Sequence, residues 1–114
     1  MQSGAQTGSG GPPSLAEALQ RLWGRFQPEI EARVAIVESA ASAAGTLSRA
    51  QQEGAHAAAH KLAGVLGTFG LAEGTALARE LEHLLDPEGA PNASEAERIV
   101  SLTVRLRAIV NNRK

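Results

Sequence analysis

With 114 residues, no cysteine, and 11 basic residues set against 12 acidic ones, the chain fits one domain that must hold together by packing alone, without disulfides or cysteine-ligated zinc. A net charge of −1, interspersed signs and an aromatic set of only Trp23, Phe26 and Phe69 provide neither the basic patch nor the stacking platform of a nucleic-acid binder. No run approaches the ~18 apolar residues of a membrane span and no basic-then-apolar leader opens the chain, so a cytoplasmic protein with no membrane or nucleic-acid partner is expected.

Residues 1–13 (MQSGAQTGSGGPP) are too poor in apolar side chains to offset the entropy of ordering, and read as a disordered tail or interdomain linker. Residues 14–114 form the folded unit, and every segment in it has a helical period, so the fold is expected to be all-α. Ser14 and Glu17 make a capping box, followed by a stripe of Leu15, Ala18, Leu19, Leu22 and Phe26. Pro28 either kinks a continuous helix or starts a new one, and Ile30, Val34, Val37, Ala41 and Ala44 continue the buried seam to a stop at Gly45.

Ser48 and Gln51 repeat the capping box and open a helix that runs to about Phe69, with Gly70 placed as its left-handed cap. The next helix buries Gly74, Leu77, Leu81 and Leu84, turns Arg79, Glu82 and His83 outward, and ends at Pro87 and Gly89. Asn92 or Ser94 caps the last helix, in which Ile99, Leu102, Leu106 and Ile109 face inward and Arg113 and Lys114 complement the dipole. Short connections make sequential helices antiparallel. The architecture expected is an up-down-up-down four-helix bundle with an additional N-terminal helical segment before Pro28, which extends the first helix or lies across the bundle end.

His60 is the candidate functional residue. At ~100° per residue its helical face also carries His56, Ala57, Ala63, Gly64 and Gly67, whereas Ala55, Ala58, Leu62, Val65, Leu66 and Phe69 lie opposite. A solvated face is ordinarily filled with Glu, Lys, Gln and Arg, and each helical glycine costs ~1 kcal/mol relative to alanine. Two glycines beside one imidazole therefore clear a docking surface. His56 and His60 are also spaced to share a metal, with Glu53 nearby, but His83 stands on a different helix and two ligands do not make a site, so no metal is assigned. A solvated His56, a structural adaptor bundle and a metal- or haem-binding bundle are the competing readings. No serine sits in a catalytic setting, and no glycine-rich phosphate cradle exists for ATP, so no autonomous kinase activity is expected.

The run from Ala59 to Gly70 resembles the signature of histidine-containing phosphotransfer (HPt) domains, in which a histidine is followed by leucine, glycine and glycine at the positions of Leu62, Gly64 and Gly70. The Ala-x-Glu-Leu-Glu run from Ala78 to Glu82 fits the same pattern. The resemblance implies that His60 is the phosphoacceptor of a two-component phosphorelay, exchanging phosphoryl groups with a receiver-domain aspartate or taking them from a sensor histidine kinase. A helical adaptor that docks receivers without phosphorylation is the alternative. His56, Ala57, Lys61, Ala63, Gly64 and Gly67 would then form the partner-binding face. No cofactor of the chain's own is implied, and Mg²⁺ belongs to the partner receiver. The family commonly has lysine three residues after the histidine, where this chain has Ala63, and Lys61 is offset by ~100° to the flank.

Overall fold

The computed structural model describes residues 14–113, so the expected tail over 1–13 and the charge of Lys114 lie outside the described residues. Within that range the chain is helical throughout: α1 (Leu15–Ser42), α2 (Arg49–Thr68), α3 (Ala72–Leu84) and α4 (Ala93–Asn112). Reciprocal capping boxes start three of them. Ser14 pairs with Glu17, Ser48 with Gln51, and Asn92, rather than Ser94, with Glu95. The turn from α2 to α3 is a Schellman motif: Gly70 adopts φ 71°, and the amides of Leu71 and Gly70 donate to the carbonyls of Leu66 and Gly67.

The bundle is a ring in which each helix packs on its sequence neighbours and α4 closes back onto α1, while the diagonal pairs meet only through side chains in the shared core. Its core joins Trp23, Ile30, Val34 and Val37 of α1 to Leu62 and Leu66 of α2, Leu81 of α3 with Leu85 beyond it, and Leu102 and Leu106 of α4. Ala55, Ala58 and Ala59 fill the inward face of α2, and such short side chains let the neighbouring backbones approach closely. A Cβ on Gly74 would lie 3.1 Å from Leu66 and 3.3 Å from Ile109, so that glycine sits where α2, α3 and α4 converge.

The segment before Pro28 is not a separate element; α1 runs through the proline, whose ring lies on the exposed face where water can reach the carbonyl it leaves unpaired. The stripe expected there is only partly inward. Leu15 is 76% exposed and Phe26 36%, Leu19 and Leu22 are half-buried, and Trp23 carries the burial instead. The reason is length. At 1.5 Å per residue α1 outruns its 20-residue neighbours, and its first turn extends past the end of α4, where Arg113 reaches back to Gln20 and Trp23. Arg113 stacks its guanidinium over the rings of Trp23 and Phe69 and donates to Gln20, instead of serving only its own helix end.

The α1–α4 seam is closed by one cation held between two anions. Arg107 donates to Glu38 through Nε and Nη2, both at 2.9 Å, and through Nη1 to Glu31. The hydrogen bonds from Arg107 hold the Glu38 carboxyl below the usual carboxylate range. A depressed carboxylate pKa adds stability above the unfolded-state value of ~4.3, and that contribution disappears as the pH falls through the folded value. Because both carboxylates are partly solvated, Arg107→Gln is expected to lower unfolding free energy by only about 1 kcal/mol at pH 7, and the difference from the parent should be smaller at a pH acidic enough to protonate Glu38. Urea unfolding of both proteins at the two pH values measures this.

Candidate functional site

The site lies on the seam between α2 and α3, whose register follows from the tight turn at Gly70. Gly67 lies against Thr75, since a Cβ at Gly67 would sit 3.5 Å from the Thr75 hydroxyl, and the Thr75 hydroxyl donates to the Ala63 carbonyl at 3.4 Å. Seven residues further from the turn on each strand of this helical hairpin, His60 meets Glu82. Three α2 side chains spaced by four residues, Gln52, His56 and His60, reach across to the far end of α3.

Each rung has a defined chemistry. Gln52, only 4% exposed, donates both amide protons, to the Asp86 carbonyl at 2.8 Å and the Gly89 carbonyl at 2.7 Å, and so ties down the loop after α3. His56 Nδ1–H donates at 2.8 Å to the backbone carbonyl of Glu82, one of the last-turn carbonyls that α3 cannot satisfy within itself. His60 Nδ1–H donates at 2.8 Å to Oε2 of the same residue's carboxylate. A carbonyl and a carboxylate oxygen can only accept, so in each neutral ring the proton sits on Nδ1 and Nε2 keeps its lone pair. One residue of α3 thereby orients both histidines of α2.

The two rings differ in access. The His60 side chain is 71% exposed while that of Glu82 is 26% exposed, so the imidazole stands out from the surface on a half-buried support. His56 is half-buried and pinned, not the solvated residue that is its plainest sequence reading. Ala57, Lys61, Gly64 and Gly67 are exposed beside His60 as expected. Ala63 is not. It is 4% exposed and packed into the core on the α3 side, because it lies ~60° from His60 towards the neighbouring helix instead of towards solvent. Its place in the partner-binding face is therefore corrected: it is a packing residue.

Glycine positions separate likewise. A Cβ at Gly64 would meet nothing within 4 Å, whereas one at Gly67 would touch Thr75, so Gly64 leaves open space and Gly67 marks the edge where the two helices draw together. Among the described residues no group of three or more His, Asp or Glu side chains is gathered to hold a metal, and Glu53 is engaged with Arg49. Gln52 and Glu82 escaped the sequence reading. The first belongs to the same four-residue ladder as the histidines. The second sits at the margin of the inward face of α3, and only pairing the two helices through the Gly70 turn brings it opposite His60.

A family model described as the Hpt domain matches residues 21–112, from within α1 to the last residue of α4. No curated protein and no solved structure is similar enough to the chain to match.

Open space at Gly64 has a direct consequence for stability. Gly64→Ala is expected to raise unfolding free energy by up to ~1 kcal/mol, the helix-propensity difference, because its methyl group meets no neighbour. Gly64→Gln should also keep the fold. Thermal unfolding of both variants checks the point, and a drop in Tm for either would show that the glycine is needed for packing.

Proposed function

The chain belongs to the Hpt domain family and is thus a phosphotransfer module of two-component signalling; on that premise we propose that His60 is its phosphoacceptor and that it exchanges a phosphoryl group with a receiver-domain aspartate. The observation that supports this most is the bond from His60 Nδ1–H to Glu82, made by an imidazole that is otherwise 71% exposed on a face cleared by Gly64. It holds the ring in one orientation and leaves the Nε2 lone pair as the nucleophile.

Phosphoryl transfer depends chiefly on positioning and on neutralising the transferring group. In the forward step Nε2 attacks phosphorus in line with the bond to the receiver's aspartyl oxygen. The Nε2–P bond forms, the O–P bond breaks, and the aspartate leaves as a carboxylate. Because Nδ1 keeps its proton throughout, the phosphorylated ring carries a positive charge, and the Glu82 carboxylate at 2.8 Å is placed to stabilise it. Return transfer reverses these steps. Glu82 is thus a positioning residue that also balances charge on the ring.

Hpt domains interact with receiver domains and kinases in phosphorelays, and Ala57, Lys61, Gly64 and Gly67, with His56 at the rim, form the surface on which a receiver would seat. The Mg²⁺ that such a transfer uses would come with the receiver. The reading carries a cytoplasmic setting with it, and no helix among the described residues is long and apolar enough to cross a membrane.

Incubation with a phosphorylated receiver should give an acid-labile, base-stable label that His60→Ala abolishes and His56→Ala does not. Glu82→Ala should slow labelling by about tenfold, the scale of one charge-assisted hydrogen bond, whereas Glu82→Gln keeps an acceptor for Nδ1–H and should fall between the parent and the alanine variant. Retention of the label by His60→Ala would refute the assignment. Equal rates for both Glu82 variants would show that the acceptor does not position the ring.

A further inference from the structure

A phosphoryl group on His60 Nε2 would stand across the imidazole from the Glu82 carboxylate, which balances the cationic ring but leaves the charge of the phosphoryl oxygens without a partner. The site therefore needs a cation, and α2 places none on the side that faces α3: the residues there are Gln52, His56, Ala59 and Ala63. Lys61 projects from the opposite flank of His60.

The helix pairing puts one on α3. Thr75 lies against Gly67 and Glu82 against His60, so the residue one turn beyond Thr75, Arg79, comes level with the residue one turn before Gly67, Ala63. On α3 the row facing α2 carries Thr75 and Glu82, and Arg79 stands ~50° outward of that row, on the exposed side and three residues from Glu82. Along the axis this is about 4.5 Å from the level of His60, within the span of an extended arginine side chain. Ala63, being small and buried, puts no side chain between them.

Arg79 shares with Arg21 and Arg25 of α1 the lack of an ion pair among the described residues, but it alone of the three lies on α3 beside His60. Arg33, Arg49, Arg98, Arg105 and Arg107 are all engaged in ion pairs, most of which fasten α4 to its neighbours or support a helix face. Arg79 makes no ion pair or side-chain hydrogen bond among the described residues, although Glu82 is only three positions away on its own helix. An exposed guanidinium beside His60, unspent on structure, is a fork suited to two phosphoryl oxygens.

We propose that Arg79 binds the phosphoryl group on His60, supplying from α3 the charge that α2 does not, as a catalytic residue of the transfer. This rests on the reading of His60 as the phosphoacceptor. Arg79 would contact the phosphoryl oxygens while Glu82 holds Nδ1–H, so the two halves of the phosphorylated imidazole are balanced by two residues of one α3 turn.

Phosphoramidate tests this without a receiver: Nε2 displaces ammonia, the P–N bond of the reagent breaks, and the Nε2–P bond forms. Labelling should be lost in His60→Ala, about tenfold slower in Arg79→Gln, largely restored in Arg79→Lys, and slowed less by Lys61→Gln than by Arg79→Gln. The lifetime of the purified phosphoprotein should change in Arg79→Gln but not its Tm. If His60→Ala still labels, the phosphoacceptor reading fails and Arg79 falls with it. If His60→Ala abolishes the label while Arg79→Gln reacts as fast as the parent, only the Arg79 proposal is overturned. A defect of Arg79→Gln seen with a phosphorylated receiver but not with phosphoramidate would likewise overturn it, since the arginine would then serve docking and not the phosphoryl group.

Discussion

Glu82 is held from both ends by the same neighbouring helix: its backbone carbonyl accepts from His56 and its carboxylate from His60. The first bond satisfies a carbonyl that the last turn of α3 leaves open, and it fixes where the Glu82 backbone lies relative to α2. The second uses that fixed backbone to orient the exposed His60 ring. His56 is therefore part of how His60 is positioned, although it need not touch a phosphoryl group. Gln52 extends the same arrangement by holding the carbonyls of Asp86 and Gly89, so the end of α3 and the loop beyond it are anchored along a single edge of α2.

Such a seam works only if the two helices are closely and reproducibly spaced. Small residues achieve that on the α2 side, where Ala59 and Ala63 are buried and Gly67 would contact Thr75 through any added carbon. The opposite side of the ring is held differently. There α1 and α4 are joined by Arg107 between Glu31 and Glu38, and Arg113 covers Trp23 and Phe69 at the bundle end. Polar fastening on the α1–α4 side and close packing on the α2–α3 side leave the exposed stripe of α2 free of structural duties, which is what a transient partner requires.

Local chemistry was readable from the residues because it is set within a few positions of chain: the capping boxes at Ser14 and Ser48, the left-handed cap at Gly70, and the bare surface at Gly64 all fall where their spacing puts them. The structure departs from the single-helix period where a second helix decides. Ala63 shares a broad face with His60, but the approach of α3 divides that face into a buried and an open half. Leu15 fits the apolar period of α1 yet has nothing to pack on, because α1 is longer than its neighbours and Trp23 takes the last place in the core. Glu82 read as an outward residue for the same reason. Its role exists only in the pairing of α2 with α3, which a single helical period does not contain.

The chemistry proposed for His60 turns on which of its ring nitrogens carries the proton, and long-range ¹H–¹⁵N correlation NMR of the imidazole rings reads this directly in the unphosphorylated protein. With Glu82 accepting from Nδ1–H, the neutral ring should show the Nδ1–H pattern, with Nε2 at the shift of an unprotonated nitrogen. An Nε2–H tautomer at His60 would contradict the proposed role, because Nε2 would then have no lone pair with which to attack phosphorus.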